Sequence, residues 1–161
     1  MRKFFIITLF AGLFFLIEFM LGNQGPSWMK PNLLILLIVF THLAWGIRYS
    51  LYAALLAGLL KDSFSTAVFG INIFSFVICA YFIVFLKKYI YRKGSIIRQA
   101  GLVSSVLILN NIFHVLLQLM FEPVRFLYVL GYVMFPEMIF TLSLMRPAFN
   151  LLKQCVLRLS A

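Results

Sequence analysis

The sequence predicts an all-α, polytopic membrane protein of six transmembrane helices with both termini cytoplasmic, built as a single domain over residues 1–161. Three observations predict it. The chain is 64% hydrophobic and only 11% charged, with a mean hydropathy of +1.06, far more apolar than the ~45–50% of a soluble domain. Its apolar runs approach the ~20 residues that a membrane-crossing helix needs and are separated by short charged breaks. Its 14 Lys and Arg residues, which give a net charge of +10, cluster at the ends of those runs. In a soluble protein such a charge would suggest nucleic acid; placed at helix ends, it marks cytoplasmic loops and anionic headgroups instead.

The expected helices are Phe4–Leu21, Leu33–Ile47, Tyr49–Leu60, Ala67–Leu86, Ala100–Phe121 and Phe126–Met145. The first follows the basic start Met1-Arg2-Lys3 and has no small-residue cleavage site after it, so it reads as an uncleaved helix rather than a signal peptide. The second and third are short, and one long helix over Leu33–Leu60 with Arg48 at its centre is the competing count. Charge asymmetry decides between them. With six passes, Arg2, Lys3, Arg48, the central basic loop and the tail fall on the inner side, leaving only Lys30, Lys61 and Arg125 outside. With five, Arg48 is buried at membrane depth at a cost of at least ~2.5 kcal/mol.

The loops follow from that count. "GNQGPSWMKPN" is the first outer loop, with Trp28 and Lys30 as interface anchors and Pro31 opening the second helix. "KDSFST" and "EPVR" are the other outer turns. "KKYIYRKGSIIRQ" is the main cytoplasmic loop, its alternation of basic and apolar residues suiting a segment that lies on the inner leaflet, and the tail from Arg146 is cytoplasmic.

Polar residues at membrane depth are expensive and mark candidate sites. Glu18 sits near the outer end of the first helix and Glu137, after Pro136, in the sixth. On the fifth, Asn110, His114 and Gln118 recur every four residues and share a face, with Asn111 beside it. Asn72 opens the fourth helix just after Asp62. Two readings stand: an outward-facing cavity or proton-linked site, or hydrogen bonds that hold helices together at ~0.6 kcal/mol each. His42 reads as packing. Cys79 and Cys155 have no metal-ligand spacing and imply neither a metal site nor a disulfide. No nucleophile with a base and orienter, no phosphate-cradling glycine loop and no paired carboxylates are present, so no enzyme activity and no cofactor are expected.

The stretch "GLLKDSFSTAVFGIN", with Gly58, Asp62, Gly70 and Asn72, resembles the pattern of the rod shape-determining protein MreD family. Pro31-Asn32 before an apolar run, the basic loop after the fourth helix and "MRPAFNLLKQ" at Met145–Gln154 agree with it, as do length and six-pass plan. Ala54 stands where the family often has a second glycine, and Ile73 and Phe74 where it favours small residues and leucine.

The resemblance implies a non-enzymatic scaffold of the bacterial cell-elongation complex in the cytoplasmic (inner) membrane, serving cell shape and lateral peptidoglycan synthesis. It implies partners too: the membrane-anchored MreC, RodA with its penicillin-binding transpeptidase, MreB filaments indirectly, and membrane lipids, with no nucleic acid. Within it, Asp62 and its hydroxyl neighbours are expected to cap the third and fourth helices, with Gly58 and Gly70 permitting close backbone approach. The family is also similar in fold to the substrate-binding subunits of energy-coupling factor vitamin transporters. That makes a transporter subunit the alternative function, and a proton-linked small transporter using Glu18, His114 and Glu137 a third.

Overall fold

In a computed structural model the described residues are 2–24, 31–65, 69–89, 96–120 and 134–160. They form six α-helices and no strand: α1 Arg2–Gln24, α2 Leu33–Trp45, α3 Ile47–Ser63, α4 Ile71–Tyr89, α5 Ile96–Leu119 and α6 Phe135–Ser160. α1, α4 and α5 are each long and apolar enough to cross a membrane.

The arrangement is built around the shortest helix. α2, "LLILLIVFTHLAW", has 13 residues and reaches only about 20 Å at ~1.5 Å per residue, well short of a ~30 Å hydrocarbon layer. It is apolar on every side, which suits a helix enclosed by others. Every residue from Leu33 to His42 is buried, and α2 packs against each of the other helices. Enclosure in protein gives so short an apolar segment the cover that its own length could not find in hydrocarbon.

Direction alternates from one helix to the next. Phe4 meets Tyr49 and Tyr52 where α1 and α3 begin, while Phe15 and Phe19 meet Phe64 where they end. Antiparallel pairing of α4 and α5 is fixed by Ser75 against Asn110 and Cys79 against the Val106 carbonyl. The bundle therefore has two unlike ends. One carries Arg2, Lys3, Arg48, Lys87, Lys88, Arg98 and Lys153; at the other, the cation among the described residues is Lys61, while Arg146 lies exposed midway along α6.

Several expected boundaries change. The single long helix over Leu33–Leu60 does not form, because Gly46 breaks it with φ +91, a left-handed conformation that favours glycine. Its N–H closes α2 onto the His42 carbonyl, and its carbonyl accepts from Ser50, so the reversal consumes one residue. Arg48 then lies exposed in the first turn of α3. α3 is longer than the expected Tyr49–Leu60, running past Lys61 and Asp62 to Ser63. α4 starts at Ile71 rather than Ala67 and takes in Lys87 and Lys88 from the expected basic loop, and α5 takes in Arg98 and Gln99. Residues 90–95 of that loop, the "EPVR" turn, Trp28 and Lys30 lie outside the described residues.

The largest shift is in the sixth helix. α6 is described from Phe135, the expected start at Phe126 lying outside the described residues, and it continues through Pro147 to Ser160, so the segment from Arg146 is helix. Leu152, Phe149 and Ala148 are buried in the core, and that packing holds the helix past its proline.

Candidate functional site

The polar residues of the less basic end form two knots, each tying off the start of a helix. A helix start presents amides with no partner in the preceding turn, and away from water something must meet them.

The first knot closes α4. Gly70 occupies the position before the helix, where a side chain ordinarily caps, and it has none to offer. The carboxylate of Asp62, reaching across from the last turn of α3, takes that role. Its Oδ2 accepts from the amides of Gly70 at 3.0 Å and Ile73 at 3.1 Å, and its Oδ1 from the amide of Asn72 at 3.1 Å and its Nδ2 at 2.8 Å. Asp62 and Asn72 are both buried. The positive end of the α4 dipole faces the carboxylate, which adds to the four donors. Of the neighbouring hydroxyls, Ser63 bonds back to the Leu59 carbonyl at 2.7 Å within α3, and Thr66 lies outside the described residues. Asp62 is thus a direct cap of α4.

The two motif glycines act differently. A Cβ on Gly58 would stand 2.5 Å from the Ile73 Cα and 2.8 Å from its N, so this glycine lets α3 and α4 touch backbone to backbone. Around Gly70 a Cβ would meet nothing within 4 Å; its φ of +102 is what requires glycine, and close approach is not its role. Gly58 closes a stripe of small buried residues, Ala53, Ala54 and Ala57 being fully enclosed, so Ala54 lies in the same seam.

The second knot closes α2. Asn32 caps it, its Oδ1 accepting from the Ile35 amide at 3.4 Å, and Glu18 of α1 accepts from the Leu34 amide at 2.9 Å. Asn32 also donates from Nδ2 to Glu137 Oε1 at 2.9 Å and from its own amide to Thr141 Oγ1 at 2.9 Å. Asn111 of α5 donates to the other Glu137 oxygen at 3.0 Å. Three helices, α1, α5 and α6, thereby converge on the first turn of the buried one.

On the expected face of Asn110, His114 and Gln118, the two described side chains meet different neighbours. Asn110 turns to α4, accepting from Ser75 at 2.7 Å, while its neighbour Asn111 reaches Glu137. His114 is half-buried, within electrostatic range of Lys61 and Asp62. The Gln118 side chain lies outside the described residues. Lys61 stands between the knots, its Nζ 5.4 Å from the Phe76 ring centroid and within electrostatic range of Glu18. His42 is enclosed in α2, its Nδ1 without a hydrogen-bond partner. Among the described residues no cluster of His, Cys, Asp or Glu could hold a metal ion.

Asn32, Thr141 and Ser75 take part in these hydrogen bonds without being among the residues expected at the site. Asn32 carries a readable signal, an Asn directly before an apolar run, and Thr141 lies four residues from Glu137 on one helical face. Ser75 carries none, since its partner is a side chain on another helix.

Comparison with known families matches residues 1–155 to the one described as rod shape-determining protein MreD. The chain belongs to the MreD family. No curated protein and no solved structure matches it. Membership gives the chain a part in rod-shape determination, and with its apolar helices makes it a membrane protein. In this MreD chain the motif residues Gly58, Asp62, Gly70 and Asn72 converge on the junction of α3 with α4.

Proposed function

We propose that this MreD chain is a non-enzymatic, multi-pass scaffold of the cell-elongation complex in the bacterial cytoplasmic membrane. Its basic end faces the cytoplasm, and it captures the membrane-anchored MreC so that RodA, its penicillin-binding transpeptidase and, indirectly, MreB filaments are held together for lateral peptidoglycan synthesis. Basic residues gathered at one end support the orientation.

The observation that carries the scaffold reading is the outward face of α1. Phe5, Leu9, Leu13, Leu16 and Met20 are exposed along one side of this helix, which is the least enclosed of the three long apolar ones. Gly12 lies beside them with open space where a Cβ would stand. A long apolar face with a glycine midway is suited to another transmembrane helix, because association in lipid depends on close packing around small residues. The two knots support the same reading from the other side. Glu18, Asp62 and Glu137 are engaged in capping and bracing helix starts, so the polar groups that a transported solute would use are already bonded to the protein.

Site-specific photo-crosslinking tests the assignment of the face. A photoreactive residue at Leu13 should capture MreC in cells, whereas one at Phe85 on the exposed side of α4 should not. Equal capture at both positions, or capture only at Phe85, would remove α1 as the docking face.

A further inference from the structure

At the basic end, the shortness of α2 has a consequence for α6. α2 stops at Trp45 while α6 continues to Ser160. The last turns of α6 therefore extend beside the end of α2 and the beginning of α5, and a groove of about 340 Å³ opens between the three helices. That lies within the ~300–1,000 Å³ of ligand pockets and is about twice the ~150 Å³ of an apolar cavity that takes up benzene.

The groove has a divided chemistry. Phe40 and Phe149 form its buried floor, their rings edge to face with centroids 5.6 Å apart. Leu43 and Ala44 continue the apolar wall along α2, and Val156 along α6. Lys153 lies four residues after Phe149 and three before Val156, on the same helical face, and is exposed. Gln99, from the first turn of α5, is the other polar lining residue. Among the lining residues there is no acid to neutralise the ammonium.

We infer that this groove binds one anionic phospholipid, an acyl chain lying against Phe40 and Phe149 and the phosphate meeting the Lys153 ammonium and the Gln99 amide. The charge pattern selects this occupant. A small free anion would leave the apolar floor facing water or hydrocarbon without a partner, and a zwitterionic lipid would bring a cation of its own alongside the Lys153 ammonium. An anionic lipid satisfies both, and a cation beside an apolar slot is the arrangement by which membrane proteins hold acidic headgroups. The inference stands apart from the scaffold reading, since it concerns the opposite end of the bundle from the knots and does not use the α1 face.

Native mass spectrometry of the detergent-purified protein tests it, with phosphatidylglycerol, phosphatidylcholine of the same acyl chains, and inorganic phosphate as probes. The first phosphatidylglycerol should bind several-fold more tightly than the first phosphatidylcholine. Lys153→Gln should weaken it about tenfold, the size of one charge-assisted contact, and Ala44→Phe should weaken both lipids by filling the slot. Lys88→Gln, a charge removed from α4 at the same end, should change nothing. Lys153→Gln and Ala44→Phe binding phosphatidylglycerol like the parent would overturn the site. Displacement of phosphatidylglycerol by inorganic phosphate at equal concentration would overturn the lipid and leave an anion site. Equal weakening by Lys88→Gln would reduce the effect to general surface charge.

Discussion

Gly58 and Ile73 bring α3 and α4 into backbone contact: a single carbon added at Gly58 would come within 2.5 Å of the Ile73 Cα. Ile73 is also one of the amides that Asp62 caps, at 3.1 Å. The glycine and the aspartate, one turn apart on α3, thus fix the same point of α4, the first by proximity and the second by hydrogen bonding. Each is useful only if the other holds the helices in register.

Gly58→Ala must push the two helices apart, since the obstructing atoms are backbone and cannot rotate away. Overpacking of this kind costs about 1–3 kcal/mol. The variant should melt at a lower temperature in detergent, while Ala57→Ser at the neighbouring position should lose less.

Gly70 answers to a different constraint, and its variants should show it. There is room for a side chain, but the φ of +102 is strained for any L-residue. Gly70→Asn, a residue that tolerates positive φ, should retain more thermal stability than Gly70→Val. Equal losses would mean that space, and not conformation, is limiting there.

Asp62→Ala leaves the amides of Gly70, Asn72 and Ile73 without their acceptor, and Asp62→Asn supplies one oxygen in place of two. Losing charged-acceptor bonds of this kind costs about 2–3 kcal/mol. Thermal melting should rank parent above Asp62→Asn above Asp62→Ala. Membrane levels and MreC capture unchanged in Asp62→Ala would mean that the loop has no part in shaping the protein.

In the second knot, Asn111→Asp would set a carboxylate against Glu137 where a donor now stands at 3.0 Å. This variant should be markedly destabilised. Adding Glu137→Gln should restore much of the loss, because the new amide can donate to Asp at 111 while its oxygen still accepts from Asn32. A double-mutant cycle read by thermal melting measures that coupling.

The sequence made the all-helical class, the break near Arg48 and the gathering of cations legible, because each depends on hydropathy and charge along the chain. It also marked Asp62, Gly58 and Gly70 through the resemblance of their stretch to the family pattern. The partners of the polar residues were not legible. Asn110 and Asn111 are adjacent in sequence and point to different helices, Ser75 on α4 and Glu137 on α6. Periodicity within α5 cannot say which neighbour lies on which side. Nor could it extend α6 past Pro147, because a proline there reads as a stop until Phe149 and Leu152 are seen buried.

The central claim is that the chain is a scaffold held in shape by its capped helix starts, and its most direct test is what it retains in the cell. The tagged protein, expressed at native level and purified in mild detergent, should bring MreC with RodA or the transpeptidase when its companions are identified by mass spectrometry. Recovery of an ATPase pair with its coupling subunit in their place would contradict the account and make the chain a transporter component.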